Sequence, residues 1–401
     1  MKNEIEILYV SYDGILEPLG ESQVLGYLER LSEEFNITLL TFEKSSDIKN
    51  KEKLSFYKEK LAQKKIVWIR RTYYSNPKYV SSFYNIISGI ILLIFLSLRN
   101  RIKSIHVRSY IPGLIALPLV SIFKINLIFD IRGFWPEEKV DRAGWSREGL
   151  LFKIFKFLER TLIHSSVFLV TLTNESKRIL KQRYPFISSD QIKVIPTCVN
   201  TQKFKPKQKK ELKFDLVLGH SGSVHTAYNL VPILEMFKEL LDSSENIRLY
   251  FFNKNDHSYI YNQVKLFSIP YENVKIMSVE RNELASRLSE VDIGCFYANV
   301  NGSIKASFPT KIGEFLACGV PIVCNDINQD ITDLIKENEL GLIHEFKSSS
   351  YTKQFYDNLL NLKQDKTIGS RCQSIAKEKL SLSKGAEKYR VIYKSILESN
   401  G

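Results

Sequence analysis

Cysteine is scarce in this sequence, with five residues among 401, and no two of them have CxxC spacing. The odd number and the missing spacing argue against a disulfide framework and against a zinc site. No Asp-x-Asp triplet occurs, and no His, Cys and Asp residues share metal-ligand spacing, so we predict no catalytic metal. Only 12 prolines and 18 glycines occur and 12% of residues are aromatic, which excludes a collagenous, mucin-like or wholly disordered chain.

The N-terminal residues MKNEIEILYVSYDG lack the basic region, apolar stretch and small-residue cleavage site of a secretory signal. We therefore expect the protein to stay in the cytoplasm. Its length and its 44% apolar residues suffice for two folded domains, because single domains mostly contain about 100–200 residues.

Positive charge is concentrated in one part of the chain. The formal net charge is +13, and residues 51–200 contain 26 Lys and Arg against 10 Asp and Glu. A basic half favours a polyanionic partner, either nucleic acid or the anionic cytoplasmic leaflet of a membrane. Lysines that are simply solvated on helix faces would give the same composition.

One long apolar stretch, FYNIISGIILLIFLSL at residues 83–98, is followed by Arg99, Arg101 and Lys103. A membrane-spanning helix needs about 20 apolar residues, so the stretch is short of that requirement. Apolar residues beside a basic cluster suit a helix that lies on a membrane surface, and a buried core helix would have the same composition.

Short apolar runs alternate with helical patterns along both halves of the chain, which predicts parallel sheets covered by helices on both faces. A Pro- and Lys-rich segment at 194–210 separates the halves. We expect two Rossmann-like, doubly wound α/β domains that face a cleft at the carboxyl ends of their strands. The predicted strands are 5–12, 37–42, 65–70, 104–109, 126–133, 166–173, 215–222, 247–252, 274–279, 292–298 and 320–325.

The segment SIKASFPTKIGEFLACGVPIVCND at 303–326 carries the most specific pattern. Pro309 can stand in a first helical turn, and Lys311 and Glu314 then share one helix face. A helix N-terminus and a lysine favour phosphate, and a glutamate one turn on can accept hydrogen bonds from ribose hydroxyls. The pattern therefore favours a nucleoside diphosphate, although an ordinary surface Lys–Glu pair would look similar.

The run FPTKIGEFLACGVPIV resembles the donor-site signature of the retaining family-four glycosyltransferases, which share the two-Rossmann GT-B fold. Three more stretches are similar to a bacterial polysaccharide-assembly branch of that family, namely SYDGILEPLGESQVLGYL, FDIRGFWPEE and GHSGSVHTAYNL. VIPTCVNTQKF resembles its interdomain hinge. The likeness spans roughly residues 5–395.

The resemblance implies an acceptor-binding domain at 1–205, a nucleotide-sugar-binding domain at 206–380 and a C-terminal helix at 381–401 that packs back on the first domain. It implies transfer with retention from a nucleotide-diphosphate sugar, with UDP-sugar as the expected donor, and no cofactor or metal. The expected acceptor is a lipid-linked saccharide in capsule, exopolysaccharide or O-antigen synthesis. An anionic membrane surface is then the expected partner, and nucleic acid is not.

The family's site residues transfer to matching positions of this sequence. Lys311 would contact the donor diphosphate and Glu314 the ribose, while Gly222 and Ser223 would form a close-approach loop beneath the phosphates. Gly20 would contact donor phosphate or acceptor, or merely form a strand-to-helix turn. The implied donor-binding residues are Gly20, Gly222, Ser223, His225, Pro309, Thr310, Lys311 and Glu314.

The sequence also departs from the family pattern. Ala306 stands where many relatives have a second glutamate, His225 is the only candidate cation in a loop that often holds Arg and Lys, and Arg108 replaces a histidine. The chemistry requires cationic stabilisation of the leaving diphosphate. We expect Lys311 to supply it, with Arg108 or Arg132 reaching across the cleft, and Glu137 to orient or deprotonate the acceptor.

Two alternatives remain open at this stage. A nucleotide-sugar epimerase could use the same fold, and it would consume no acceptor. A non-enzymatic nucleic-acid-binding protein would explain the charge, but it gives no reason for the motif around Lys311.

Overall fold

The computed structural model describes residues 3–207, 213–225, 227–300, 302–346 and 353–398. The chain divides into two compact units, one of Met1–Pro196 with Leu382–Gly401 and one of Thr197–Ser381. The divisions therefore fall at 196 and 381, where the sequence led us to expect 205 and 380. Part of the Lys-rich segment, residues 208–212, lies outside the described residues.

The first unit contains a seven-stranded parallel sheet with strand order β3-β2-β1-β4-β5-β6-β7. Its central strands are apolar on both faces because helices cover both sides, and Ile7, Leu8 and Val10 of the first strand are fully buried. The strands are β1 Asn3–Ser11, β2 Ile37–Lys44, β3 Val67–Tyr73, β4 Asn100–Arg108, β5 Asn126–Asp130, β6 Ser166–Thr171 and β7 Ile192–Val194.

Ten helices belong to the described part of this unit, and a π-helical turn at Glu21–Leu25 joins the first two. The C-terminal one, α17, packs on the unit through two tyrosines that hydrogen-bond to residues of β4 and β5. The helices are α1 Pro18–Gly20, α2 Gly26–Leu31, α3 Ser45–Lys49, α4 Lys51–Gln63, α5 Lys78–Arg99, α6 Tyr110–Phe123, α7 Trp135–Ala143, α8 Leu150–Ser165, α9 Asn174–Arg183 and α17 Leu382–Glu398.

The second unit contains a six-stranded parallel sheet with strand order β10-β9-β8-β11-β12-β13. Its strands are β8 Leu216–Ser221, β9 Ile247–Phe252, β10 Val274–Met277, β11 Ile293–Phe296, β12 Ile322–Cys324 and β13 Gly341–Ile343. Its helices are α10 Val231–Leu241, α11 His257–Leu266, α12 Leu284–Leu288, α13 Thr310–Ala317, α14 Gln329–Glu337, α15 Lys353–Gln364 and α16 Ile368–Lys379.

The predicted fold class, two Rossmann-like α/β units with doubly wound parallel sheets, is confirmed. Every predicted strand is present, with its ends shifted by a few residues. The three-residue edge strands β7 and β13 escape prediction because so short a run has no detectable period. Helix α6 escapes it because Pro112, Gly113 and Pro118 interrupt an otherwise uniform apolar segment.

Helix α5, Lys78–Arg99, is longer than the apolar stretch at 83–98 that predicted it. Its segment Val80–Arg99 is the one helix among the described residues that is long and apolar enough to cross a membrane, and 28% of that window is buried. A single such helix is weak evidence for a span, because core helices meet the same criteria. Asn85 and Leu93 are buried on its inner side, and the opposite side is exposed, so of the two alternatives the structure favours a surface helix over a core helix.

Candidate functional site

Both sheets reverse their strand order at one place, and ligands of open α/β sheets bind at the carboxyl ends of the strands beside such a reversal. In the first unit the reversal lies between β1 and β4, and in the second between β8 and β11. In each unit the residues that follow these strands are therefore the candidates for a ligand site.

Lys311 lies at the reversal of the second unit. It is the second residue of α13, and its Nζ lies 3.6 Å from the ring centre of Tyr228, which follows β8, and 5.2 Å from that of Phe296, the last residue of β11. A cation over an aromatic face is attracted by the ring quadrupole, so these two rings hold the ammonium group in place. Sequence reasoning did not single out Tyr228, although it lies in the stretch GHSGSVHTAYNL that carries part of the family resemblance.

The ammonium group of Lys311 is buried without a hydrogen-bond acceptor in the described part of the chain. The residue is 5% exposed, and its Nζ has no hydrogen-bond partner there. Burial lowers the pKa of Lys311 to about 7, and the nearby carboxylate of Glu314 only partly opposes this effect. A buried ammonium without an acceptor is costly, so this position is prepared for an anion that the protein itself does not supply.

Glu314 lies one turn further along α13 and is also buried. Its Oε1 accepts a hydrogen bond from Nη1 of Arg281 at 2.6 Å, and the Arg281 guanidinium lies 4.8 Å from the ring centre of Phe204. Arg281 was not predicted, because nothing in its local sequence marks it. The pair fixes the orientation of the carboxylate that we predict to bind ribose.

The loop after β8 places Gly222, Ser223 and His225 beside this helix start. Gly222 has φ +85°, a left-handed conformation that glycine adopts without strain, and no atom lies within 4 Å of where a Cβ would be. Its N–H donates to Phe252 O at 3.0 Å, so that N–H is not available to a phosphate. Asn253 holds the loop by donating to Gly222 O at 2.9 Å.

Two histidines support this loop in different ways. The ring nitrogens of His220 lie 3.0 Å from Cys295 O and 3.2 Å from Ser223 O, and burial, together with the charge of Lys311, lowers its pKa to about 3. His220 is therefore neutral and structural. His225 is 42% exposed, and its Nε2 lies 3.6 Å from Oδ1 of Asp256. It is the only predicted donor-site cation apart from Lys311.

Pro309 does not stand in the first turn of α13, where the sequence led us to expect it. Pro309 precedes the helix in an extended conformation, with φ −61° and ψ 132°, and Thr310 is the first helical residue. The structure thus brings Pro309, Thr310, Lys311 and Glu314 together in the second unit with the loop after β8.

The remaining predicted residues belong to the first unit. Arg108 ends β4 and is buried, and Arg132 follows β5 and is largely buried. Gly20 ends α1, where a Cβ would lie 2.0 Å from Gly14 O, so close packing of the turn requires glycine there. Their neighbour His106 is buried, and its pKa is lowered to about 3 by burial and by the two arginines.

Glu137 lies in an ion-pair network at the start of α7. It is buried, and its Oε1 accepts hydrogen bonds from Arg183 at 2.7 Å and from Lys156 at 3.2 Å. Lys156 also forms an ion pair with Glu159, which is fully buried and lies with Lys156 on α8. The structure therefore gives Glu137 a clear role in joining α7, α8 and α9, and its role toward an acceptor stays a prediction.

Comparisons with known proteins place this fold among glycosyltransferases. The two units match GT-B glycosyltransferase structures, and residues 20–203 match the family model "Glycosyltransferase Family 4". No curated protein sequence matches the chain. A glycosyltransferase from Rickettsia africae ESF-5 is similar over 98% of this chain and 99% of its own, with 16% identity and a TM-score of 0.70.

Two further solved structures have comparable similarity. Anabaena HepE in complex with UDP and glucose covers 98% of this chain and 100% of its own, with 12% identity and a TM-score of 0.69. The match to WaaG, a glycosyltransferase involved in lipopolysaccharide biosynthesis, covers 96% of this chain and 99% of WaaG, with 12% identity and a TM-score of 0.68. At such identities the structures establish the fold. The family match is confined to residues 20–203.

Proposed function

We propose that this protein is a retaining glycosyltransferase that moves a sugar from a UDP-sugar to a lipid-linked saccharide, in the synthesis of a capsule, an exopolysaccharide or an O-antigen. The observation that carries the proposal is Lys311, whose buried ammonium group has no hydrogen-bond acceptor among the described residues of its unit. A nucleoside diphosphate supplies the missing negative charge.

The donor fits the residues around α13. The diphosphate accepts from Lys311 and is favoured by the positive end of the helix dipole, while ribose hydroxyls donate to Glu314. As the bond from sugar to phosphate breaks, negative charge grows on the diphosphate, and the lysine stabilises it. HepE, which shares the fold, has been solved with UDP and with UDP-glucose, which supports UDP as the nucleotide. The proposal invokes no metal.

A lipid-linked acceptor fits the exposed surface of the first unit. Along α5, Phe83, Ile87, Ile91, Phe95 and Leu98 recur at helical spacing and are exposed, Phe83 by 69% and Ile91 by 62%. Basic residues follow at 99–103, and the Arg99 guanidinium lies 5.0 Å from the ring centre of Phe95. Apolar side chains rimmed by cations suit the interface of an anionic membrane. The proposal therefore makes the protein peripheral on the inner face of the cell membrane.

Helix α8 of the same unit also has exposed apolar side chains, which sequence reasoning did not anticipate. Leu150, Leu151, Ile154 and Phe157 are all exposed on it. Lys153 and Arg160 lie on the same helix. A second exposed apolar stripe with cations strengthens the membrane proposal, because an exposed apolar area of this kind is rare on a free surface.

The transferase is tested with a panel of nucleotide sugars. We expect UDP release from one of them in the presence of a lipid-linked saccharide extract, and a product whose anomeric linkage matches the donor. The Lys336→Ala variant, which changes an exposed lysine in α14, serves as the control and should retain wild-type turnover. Conversion of a nucleotide sugar without any acceptor would establish an epimerase instead.

Removing apolar side chains from α5 should release the protein from membranes. For the triple variant Phe83→Ser, Ile91→Ser, Phe95→Ser, we expect affinity for vesicles containing anionic lipid to fall at least about tenfold, because each buried apolar side chain contributes about 1.5–3 kcal/mol. Co-sedimentation with these vesicles measures the affinity. Phe56→Ser, at a residue 59% exposed on α4, is the matched control. Unchanged binding of the triple variant, or equal loss in the control, would refute docking through α5.

A further inference from the structure

Two arginines at the carboxyl edge of the first sheet, one buried and one largely buried, have unused hydrogen-bond donors. Arg108 is 6% exposed and the Arg132 side chain 10% exposed, and Nη1 of each has no hydrogen-bond partner among the residues that the structure describes. A guanidinium is always charged and offers five N–H donors, so burying it with orphan donors is unfavourable unless something else accepts them. The two groups therefore point to an anionic ligand.

The fold brings both arginines to the place where sheets of this kind bind ligands. Arg108 ends β4, which neighbours β1 at the strand-order reversal, and its Cα pairs in register with Asp130, two residues before Arg132. The two guanidiniums contact opposite ends of the same β1–α2 connection. Nε of Arg108 lies 3.3 Å from Oδ2 of Asp13, and Nη2 of Arg132 donates to Oε1 of Gln23 at 3.4 Å.

The backbone at both strand ends is held in an unfavourable conformation. Ser109, directly after Arg108, has φ +71°, and Arg132 itself has φ +59°. Residues other than glycine adopt such angles at a cost of about 1–3 kcal/mol and do so most often at functional sites. Here the left-handed conformations set the directions in which the chain leaves the two strands, and with them the positions of the arginines.

Two carboxylates lie beside the arginines, and their negative charges offset part of the positive charge of the site. Asp130 is fully buried, accepts from the Tyr389 hydroxyl at 2.8 Å and lies 3.8 Å from Nη1 of Arg132, so it is fixed and balances one positive charge. Asp13 is 45% exposed and makes a single long contact with Arg108. Since His106 is neutral, displacing Asp13 toward solvent leaves one net positive charge for a ligand.

We propose that Arg108 and Arg132 form a phosphate site in the first unit that binds a phosphate group of the acceptor, with Asp13 moving aside. This deepens the proposed function, on which it rests: the acceptor is a phosphorylated saccharide, such as one joined to its lipid through phosphate. It replaces the expectation that the two arginines serve the donor diphosphate.

The test uses inorganic pyrophosphate as the probe and the full-length protein saturated with UDP. Calorimetry should show saturable pyrophosphate binding under these conditions, and Lys311→Ala without UDP should retain it. Arg108→Gln and Arg132→Gln should each weaken that binding about tenfold or more, the effect of one lost charged hydrogen bond, and leave UDP affinity within about twofold. Asp13→Asn should strengthen pyrophosphate binding several-fold, a gain that misfolding cannot produce.

Arg142→Gln is the control, because it removes the same charge from a partly exposed position of α7, and it should change neither affinity. The proposal is overturned if UDP-saturated protein binds no pyrophosphate, if Asp13→Asn binds it no more tightly, or if Arg108→Gln weakens UDP binding as much as pyrophosphate binding, in which case the arginines serve the donor. If instead the proposed function is wrong, UDP does not bind the wild-type protein. The pyrophosphate affinities of the wild type and the arginine variants, measured without UDP, then still test the arginines.

Discussion

Replacing Lys311 by alanine is expected to lower turnover by about 10³-fold and to weaken UDP binding strongly. The lysine is the buried cation closest to the predicted diphosphate, and removal of one preorganised electrostatic group of this kind costs about 10²–10³-fold in rate. Turnover is measured as UDP release, and affinity by calorimetry. A Lys311→Ala enzyme with wild-type turnover would remove the basis of the proposed donor site.

The same lysine predicts a pH dependence of UDP binding. Burial lowers the pKa of Lys311 to about 7, so the free protein loses this charge as the pH rises through that value. UDP prefers the charged form, and its terminal phosphate, with a pKa of about 6, stays ionised above pH 7. Affinity should therefore fall between pH 7 and 8.5, by up to about tenfold per unit. In Lys311→Ala the slope should disappear.

The stability of the unliganded protein should rise as the pH rises, whereas its affinity for UDP falls. The folded-state pKa of Lys311 lies below its ordinary value of 10.5, so charging the lysine in the unliganded protein opposes folding at every pH below 10.5 and most strongly below 7. Lys311→Met should raise the free energy of unfolding at pH 7 by about 2–4 kcal/mol, and the gain should shrink toward pH 10. Denaturant unfolding of Lys311→Met at several pH values measures this, and turnover of the same variant then separates lost catalysis from lost folding.

Glu314→Gln is expected to weaken UDP binding about 100-fold. The carboxylate can accept two charge-assisted hydrogen bonds from ribose, whereas an amide of the same shape accepts with one neutral oxygen, and hydrogen bonds to charged groups contribute about 1.5–3 kcal/mol each. The variant also leaves Arg281 without its charged partner, so the thermal midpoint must be measured beside the affinity.

A modified nucleotide separates these two effects. The 2′,3′-dideoxy analogue of UDP lacks the hydroxyls that would reach Glu314, so the wild type should bind it about as weakly as Glu314→Gln binds UDP. The substitution should then add little further loss for the analogue. If Glu314→Gln weakens UDP and the analogue equally, the carboxylate acts through Arg281 and the shape of α13 rather than through ribose.

The architecture could be predicted because its signals are local. Near-continuous apolar strands such as IEILYVSY and DLVLGHSG alternate with amphipathic helices, and this period alone indicates covered parallel sheets. Elements without such a period, the short strand β13 and the proline-containing helix α6, were missed. The apolar stretch was recognised, but its exposure was not, since a membrane-facing helix and a core helix have the same composition.

The sequence by itself determined two α/β units and the motif that places Lys311 and Glu314 one helical turn apart. Only the tertiary structure decided their surroundings: the Tyr228 ring under the ammonium group, Arg281 on the carboxylate, and the burial that lowers the lysine pKa to about 7. It likewise drew Glu137 into an ion-pair network and left Arg108 and Arg132 with unused donors. Helical periodicity acts over neighbouring residues, whereas desolvation and ion pairing depend on residues that are distant in sequence and meet only after folding.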